Sequence, residues 1–114
     1  MTSEKSKIII DGKEIDLPLI RGVMGPPAID IRKLHQEGVY TFDPGYLSTA
    51  SCSSSITYVN GEKGELLYRG YPIDQLSKNC DFLDVSYLLY NSELPSAIEK
   101  ESYRKTINGH TLIH

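Results

Sequence analysis

The sequence predicts an α+β chain whose first half is β-rich and built from hairpins and whose second half consists of short helices. Three observations carry this. Asp11-Gly12 sits between runs rich in Ile and Leu, β-branched and aromatic residues with turn residues continue to Tyr68, and from Tyr71 the apolar period lengthens from two to that of a helix. Hydrophobic residues make up 39% of the 114 residues and charged residues 24%, a globular balance.

Ile8, Ile9 and Ile10 precede Asp11-Gly12, and Ile15, Leu17 and Leu19 alternate after it. A tight primed turn needs positive φ, which Gly adopts cheaply, so strands are expected at about 7–10 and 13–17. Pro26-Pro27 interrupts regular structure, since neither residue donates a ladder hydrogen bond. Ala28 to Leu34 is too short to assign between a strand and a helical turn. Val39 to Phe42 is a β-branched and aromatic run that ends at Asp43-Pro44-Gly45. Ser48 to Ser55 reads as a loop of small hydroxyl residues, without the G-x-S-x-G context of a catalytic serine.

Ile56 to Val59 and Leu66 to Tyr68 flank a turn-rich stretch, which predicts a second hairpin with a longer loop. Glycines 61, 64 and 70 match neither phosphate-binding glycine pattern, and turn chemistry accounts for them. Pro72 suits the first position of a short helix carrying Ile73 and Leu76. Asp81 and Asp84 open the next helix, where Phe82, Val85, Leu88 and Leu89 define one buried face. Ser96-Ala97-Ile98-Glu99 has the capping-box form and starts a further helix, continued on its apolar side by Tyr103 and Ile107. Gly109 is a bend or a stop. His110 to His114 reads as a resumed helix with no C-cap signal, as though cut inside an element.

The net charge of −3 and the lack of a basic stripe argue against nucleic-acid binding. No apolar run is long enough to cross a bilayer, which argues against a membrane partner. Cys52 and Cys80, 28 residues apart, have neither zinc-site spacing nor the density of a disulfide scaffold, so reduced thiols and a cytoplasmic location are expected. His110 and His114 are spaced i, i+4, but a zinc hydrolase motif needs Glu at 111, where Thr stands, so no metal site is assigned. A Cys–His pair cannot be assembled from sequence, and ordinary thiols are expected. Asp11, Asp16, Asp30, Asp43, Glu62 and Glu65 lie near turns or strand ends and read as solvated acids rather than a catalytic pair.

Two longer stretches, Phe42 to Tyr58 (Phe-Asp-Pro-Gly-Tyr-Leu-Ser-Thr-Ala-Ser-Cys-Ser-Ser-Ser-Ile-Thr-Tyr) and Gly64 to Leu76 (Gly-Glu-Leu-Leu-Tyr-Arg-Gly-Tyr-Pro-Ile-Asp-Gln-Leu), resemble the N-terminal region of bacterial citrate synthases. Leu88 to Pro95 and His110 to His114 follow in the same order as in that family. The resemblance runs the length of the chain and corresponds to about the first quarter of a family member. The β-rich opening resembles the extension of the large, hexameric, NADH-sensitive bacterial subtype (type II). The resemblance implies a mainly α-helical full fold, with residues 1–55 as the N-terminal extension and 56–114 as a hairpin plus the start of the helical large domain. It implies condensation of acetyl-CoA with oxaloacetate to citrate and CoA in the tricarboxylic acid cycle, a homo-oligomer, and no cofactor. The family's catalytic Asp and two His, and its carboxylate-gripping arginines, lie downstream, so no catalytic residue is assigned and the fragment is expected to be inactive.

The His110-Thr111 segment resembles part of the family's NADH effector site, where an Arg-His-Thr sequence contributes. Gly109 stands at the expected Arg, which removes a fixed charge and a bidentate phosphate donor. His110 and Thr111 are therefore the effector-binding candidates, the alternative being that His110 packs or caps a helical bend. A competing reading of the whole chain is a non-enzymatic nucleotide-binding or assembly module complete at 114 residues.

Overall fold

The computed structural model describes residues 2–110. The chain divides into two compact units, Met1–Ser53 and Ser54–His114.

In the first unit, β1 (Thr2–Ile10) and β2 (Lys13–Arg21) form an antiparallel hairpin in register from Thr2↔Arg21 to Ile10↔Lys13. Asp11 and Gly12 have φ of 48° and 77°, as a two-residue primed turn requires. Both strands run beyond the expected 7–10 and 13–17. The polar start of β1 lacks an apolar signal, and cross-strand ion pairs flank the ladder instead, with Lys7 2.7 Å from Glu14 and Arg21 3.1 Å from Glu4. Pro18 does not end β2. In this register the even-numbered residues of β2 turn their amides away from β1, so the missing Pro18 N–H removes no β1–β2 bond. On that far side the Pro18 carbonyl accepts from the Asp30 amide at 2.8 Å, beside the pairing of β2 with β3 (Ala28–Ile29).

Ile15 and Leu17 point to the buried face of this sheet, and Leu34 meets them from a 3-10 helix over Arg32–Glu37, with Ile10 and Val39 packed against the cluster. The ambiguous 28–34 stretch is thus a two-residue strand followed by the start of that helix. The Val39–Phe42 run forms no strand, despite its composition. The Val39 amide donates to the Leu34 carbonyl at 3.1 Å, and Phe42 is 93% exposed; strand propensity without a pairing edge is insufficient. Asp43 folds the following loop by accepting from the Thr49 hydroxyl (2.6 Å) and the Ser48 (3.0 Å) and Leu47 (3.1 Å) amides. The Thr49 hydroxyl first, and then the Ser48 amide, hold the Asp43 carboxyl below its usual range.

In the second unit, β4 (Thr57–Asn60) pairs with β5 (Glu65–Tyr68), shifted by one residue from the expected hairpin, and β5 pairs with β6 (Tyr71–Pro72). Arg69 and Gly70 join β5 to β6 with φ of 50° and 88°, a second primed turn. Pro72 is not the first helical residue. At ψ 137° it is extended, pairs with Leu67 and serves as the N-cap of α1 (Ile73–Asn79). Its lack of an N–H and its fixed φ suit both the strand end and the cap.

Asp81 caps α2 (Phe82–Asn91) by accepting from the Asp84 amide at 3.0 Å, while the Asp84 side chain accepts from the Asp81 amide at 2.8 Å. Leu88 is fully buried and Val85 and Leu89 half-buried, but Phe82 is 83% exposed, so the expected buried face lacks its first member. In the first turn of α2 the buried residue is Asp84 instead. Ser92 closes the helix in the left-handed region at φ 71°. Ser96 and Glu99 form the expected capping box of α3 (Ala97–Gly109).

Lys100 of α3 reaches Asp81 at 2.8 Å and Asp84 at 2.7 Å, and Arg104 lies 3.8 Å from Asp81. Lys100, then the Asp84 amide, push the Asp81 carboxyl down to about 2. A depressed carboxylate contributes stability above its ordinary value of 3.8 and loses it as pH falls toward 2. The acid limb of the denaturant midpoint, followed by circular dichroism from pH 5 to pH 2, is therefore expected to be shallower in Asp81→Asn than in the parent. An unchanged limb would remove this ion pair from the acid response.

Candidate functional site

The effector candidate lies at the C-terminus of α3. The helix stops at Gly109, and His110 caps it, its amide donating to the Ile107 carbonyl at 3.0 Å. His110 Nδ1 is 2.8 Å from the Thr106 carbonyl. A carbonyl only accepts, so Nδ1 carries the proton, and in the neutral ring Nε2 presents a lone pair to solvent. His110 is exposed. The capping geometry expected as the alternative role is thus present, and it leaves the outer ring nitrogen available to a ligand. Thr111, the other candidate, and the resumed helix expected over 110–114 beyond its first residue lie outside the described residues. Gly109 has open space where a Cβ would stand, with nothing within 4 Å.

The remaining candidates are not brought together. His35 makes an edge contact with Tyr40, the ring centroids 5.9 Å apart. Cys52 and Cys80 are free, Cys52 exposed and Cys80 half-buried, and burial raises the Cys80 thiol, which makes it a poorer nucleophile. Among the described residues no group of three or more His, Cys, Asp or Glu is placed to hold a metal ion. Arg32 holds Asp30 down to about 2, Lys13 lowers Glu37, and the Ser96 hydroxyl and amide lower Glu99. A general acid needs its carboxyl raised, so these groups are equipped to anchor turns and caps rather than to transfer protons.

Two polar centres went unread in the sequence. One is the Asp81–Asp84–Lys100–Arg104 cluster between α2 and α3, whose signal is the Asp-x-x-Asp cap. The other is Arg69, whose guanidinium donates through Nε (3.2 Å) and Nη2 (2.7 Å) to the Leu89 carbonyl and through Nη1 to the Ser55 carbonyl (3.2 Å) and hydroxyl (2.9 Å). Both hold secondary structure together. The described surface over Ala97, Ile98, Glu101, Ser102 and Lys105 is an open face of α3.

A family model described as "Citrate synthase, C-terminal domain" matches residues 45–114, more than half of the chain. The chain belongs to the citrate synthase family. Among solved structures it is similar to citrate synthase from Thermotoga maritima MSB8, with a TM-score of 0.60 and 28% identity over 65% of this chain and 21% of that one. It is also similar to citrate synthase from Pyrobaculum aerophilum, with a TM-score of 0.56 and 30% identity over 84% of this chain and 20% of that one. The chain spans about a fifth of the length of each of these citrate synthases. The family match takes in the Asp81–Lys100 cluster, Arg69 and His110, whereas the β1–β2 hairpin precedes it.

Proposed function

We propose that this chain is the N-terminal part of a citrate synthase of the large, hexameric, NADH-sensitive bacterial subtype, a cytoplasmic acyltransferase that condenses acetyl-CoA with oxaloacetate and releases citrate and CoA. The family match over residues 45–114 supports the citrate synthase reading, while the N-terminal placement and the subtype rest on the resemblance of the β-rich opening and of the Phe42–Tyr58 and Gly64–Leu76 stretches. Residues 1–55 act as a β-rich extension, and 56–114 supply a hairpin and the first helices of a mainly helical large domain. By the resemblance, the family's proton-transferring Asp and two His fall outside this chain. The 114-residue chain alone is therefore inactive.

The test is thiol release from acetyl-CoA plus oxaloacetate. A polypeptide translated through the codons that follow His114 is expected to release CoA, and the 114-residue chain to release none. Release by the short chain, or none by the longer one, overturns the reading.

NADH binding by His110 and Thr111 is the regulatory part of the same proposal. The open space at Gly109 lets Gly109→Arg restore a charged phosphate donor without a steric clash at Cβ. A charge-assisted contact contributes about 1.5 to 3 kcal/mol, so NADH affinity of the longer polypeptide is expected to rise by roughly tenfold or more. Fluorescence titration of parent and variant measures this; equal dissociation constants would remove the argument from lost charge.

A further inference from the structure

The chain contains two Asn-Gly pairs, Asn60-Gly61 and Asn108-Gly109, in opposite settings. Gly lacks the Cβ that would shield its amide nitrogen from the preceding Asn side chain. Asn60 is the last residue of β4, and Gly61 begins the exposed turn that follows. The Gly61 amide takes part in none of the turn and loop backbone bonds of the described residues. Gly109 instead lies within α3, where the ladder directs each amide toward the carbonyl four residues earlier and opposes its approach to the neighbouring side chain.

The polar groups around Asn60 also fit a reaction at its carboxamide. The Lys63 amide donates to Asn60 Oδ1 at 3.1 Å, the oxygen that gains negative charge if a nucleophile adds to Cγ. Asn60 Nδ2, the nitrogen that would leave, donates to the Tyr58 hydroxyl at 3.4 Å, and once addition at Cγ makes that nitrogen pyramidal and basic the same hydroxyl is placed to give it a proton.

We propose that Asn60-Gly61 is a site of spontaneous, structure-assisted deamidation. Hydroxide takes the Gly61 amide proton, the nitrogen attacks Asn60 Cγ, the new N–C bond closes a succinimide, and the C–Nδ2 bond breaks, Nδ2 leaving as ammonia with one proton from the Tyr58 hydroxyl, which water reprotonates. Water then adds to either succinimide carbonyl, cleaving one C–N bond to give aspartate or isoaspartate. No oxidant or reductant is involved. The product carboxylate lies next to the turn that carries Glu62 and opposite Glu65 of β5, and isoaspartate inserts one extra backbone carbon where Asn60 pairs with Glu65.

The test is peptide-mapping mass spectrometry of the full chain incubated at pH 7 to 8, scoring conversion of each Asn and the isoaspartate fraction. Asn60 is expected to convert severalfold faster than Asn108, with a rate that rises with pH. Gly61→Ala is expected to abolish most of the conversion; its Cβ meets nothing within 4 Å, so the turn accommodates it. Tyr58→Phe is expected to slow conversion at Asn60 while leaving Asn108 unchanged. Conversion at Asn108 equal to or faster than at Asn60, or no Asn60 product, overturns the site; an unchanged rate in Tyr58→Phe overturns the hydroxyl's assistance.

Discussion

Leu88→Ala is expected to destabilise the unit formed by Ser54–His114 by about 2 to 5 kcal/mol, the range for deleting a buried leucine side chain. Leu88 is 0% exposed, and among the described residues of this unit Leu76 and Asp84 are the other buried positions. A core this small has few neighbours able to close a cavity, so little of the loss is recovered by relaxation. Leu88→Met keeps the volume and is expected to cost less than about 1.5 kcal/mol. Hydrogen exchange of α2 amides in the full chain reads both variants. Equal protection in Leu88→Ala and the parent would show that α2 is not held by this side chain.

Arg69→Ala is the second large effect, with an expected loss of about 2 kcal/mol from its several charge-assisted bonds. Two of its donors satisfy the Leu89 carbonyl in the last turn of α2, where helix carbonyls lack intrahelical partners. Two more hold Ser55, just before β4. The residue also sits at φ 50°, a left-handed conformation that costs a side chain with a Cβ roughly 1 to 2 kcal/mol. Arg69→Gly loses the same bonds but relieves that strain, so it is expected to be more stable than Arg69→Ala. Arg69→Lys keeps the charge and is expected to resemble Arg69→Ala, because an ammonium cannot form the planar fork. Denaturant midpoints order the three variants; a lysine variant as stable as the parent would show that charge alone suffices.

Local turn and cap chemistry was legible in the sequence. Asp11-Gly12 revealed the first hairpin, and Ser96 with Glu99 revealed the start of α3. What depends on distant partners was not. The ends of β1 and β2 lay beyond reach because the start of β1 is polar and the outer part of the ladder carries the Arg21–Glu4 ion pair. Val39 to Phe42 has strand composition but no strand to join. Phe82 has the right period for the buried face of α2, yet periodicity gives a direction without stating what lies there. For the site, His110 was legible only through resemblance, and its bond to Thr106 needed a helix that stops at Gly109. Arg69 drew no attention because its partners are 14 and 20 residues away in sequence.

The 13-residue α3 contains no buried residue. Helices of about this length are marginal in water by themselves. Its order therefore leans on the edge-on contact of Tyr103 with Tyr87 and its bond to Ser86, and on a capping carboxylate and lysine contacts at its edge, the last two of which dissolved electrolyte weakens. Added sodium chloride should thus weaken the cap and the ion pairs of this segment, and with them its helical order.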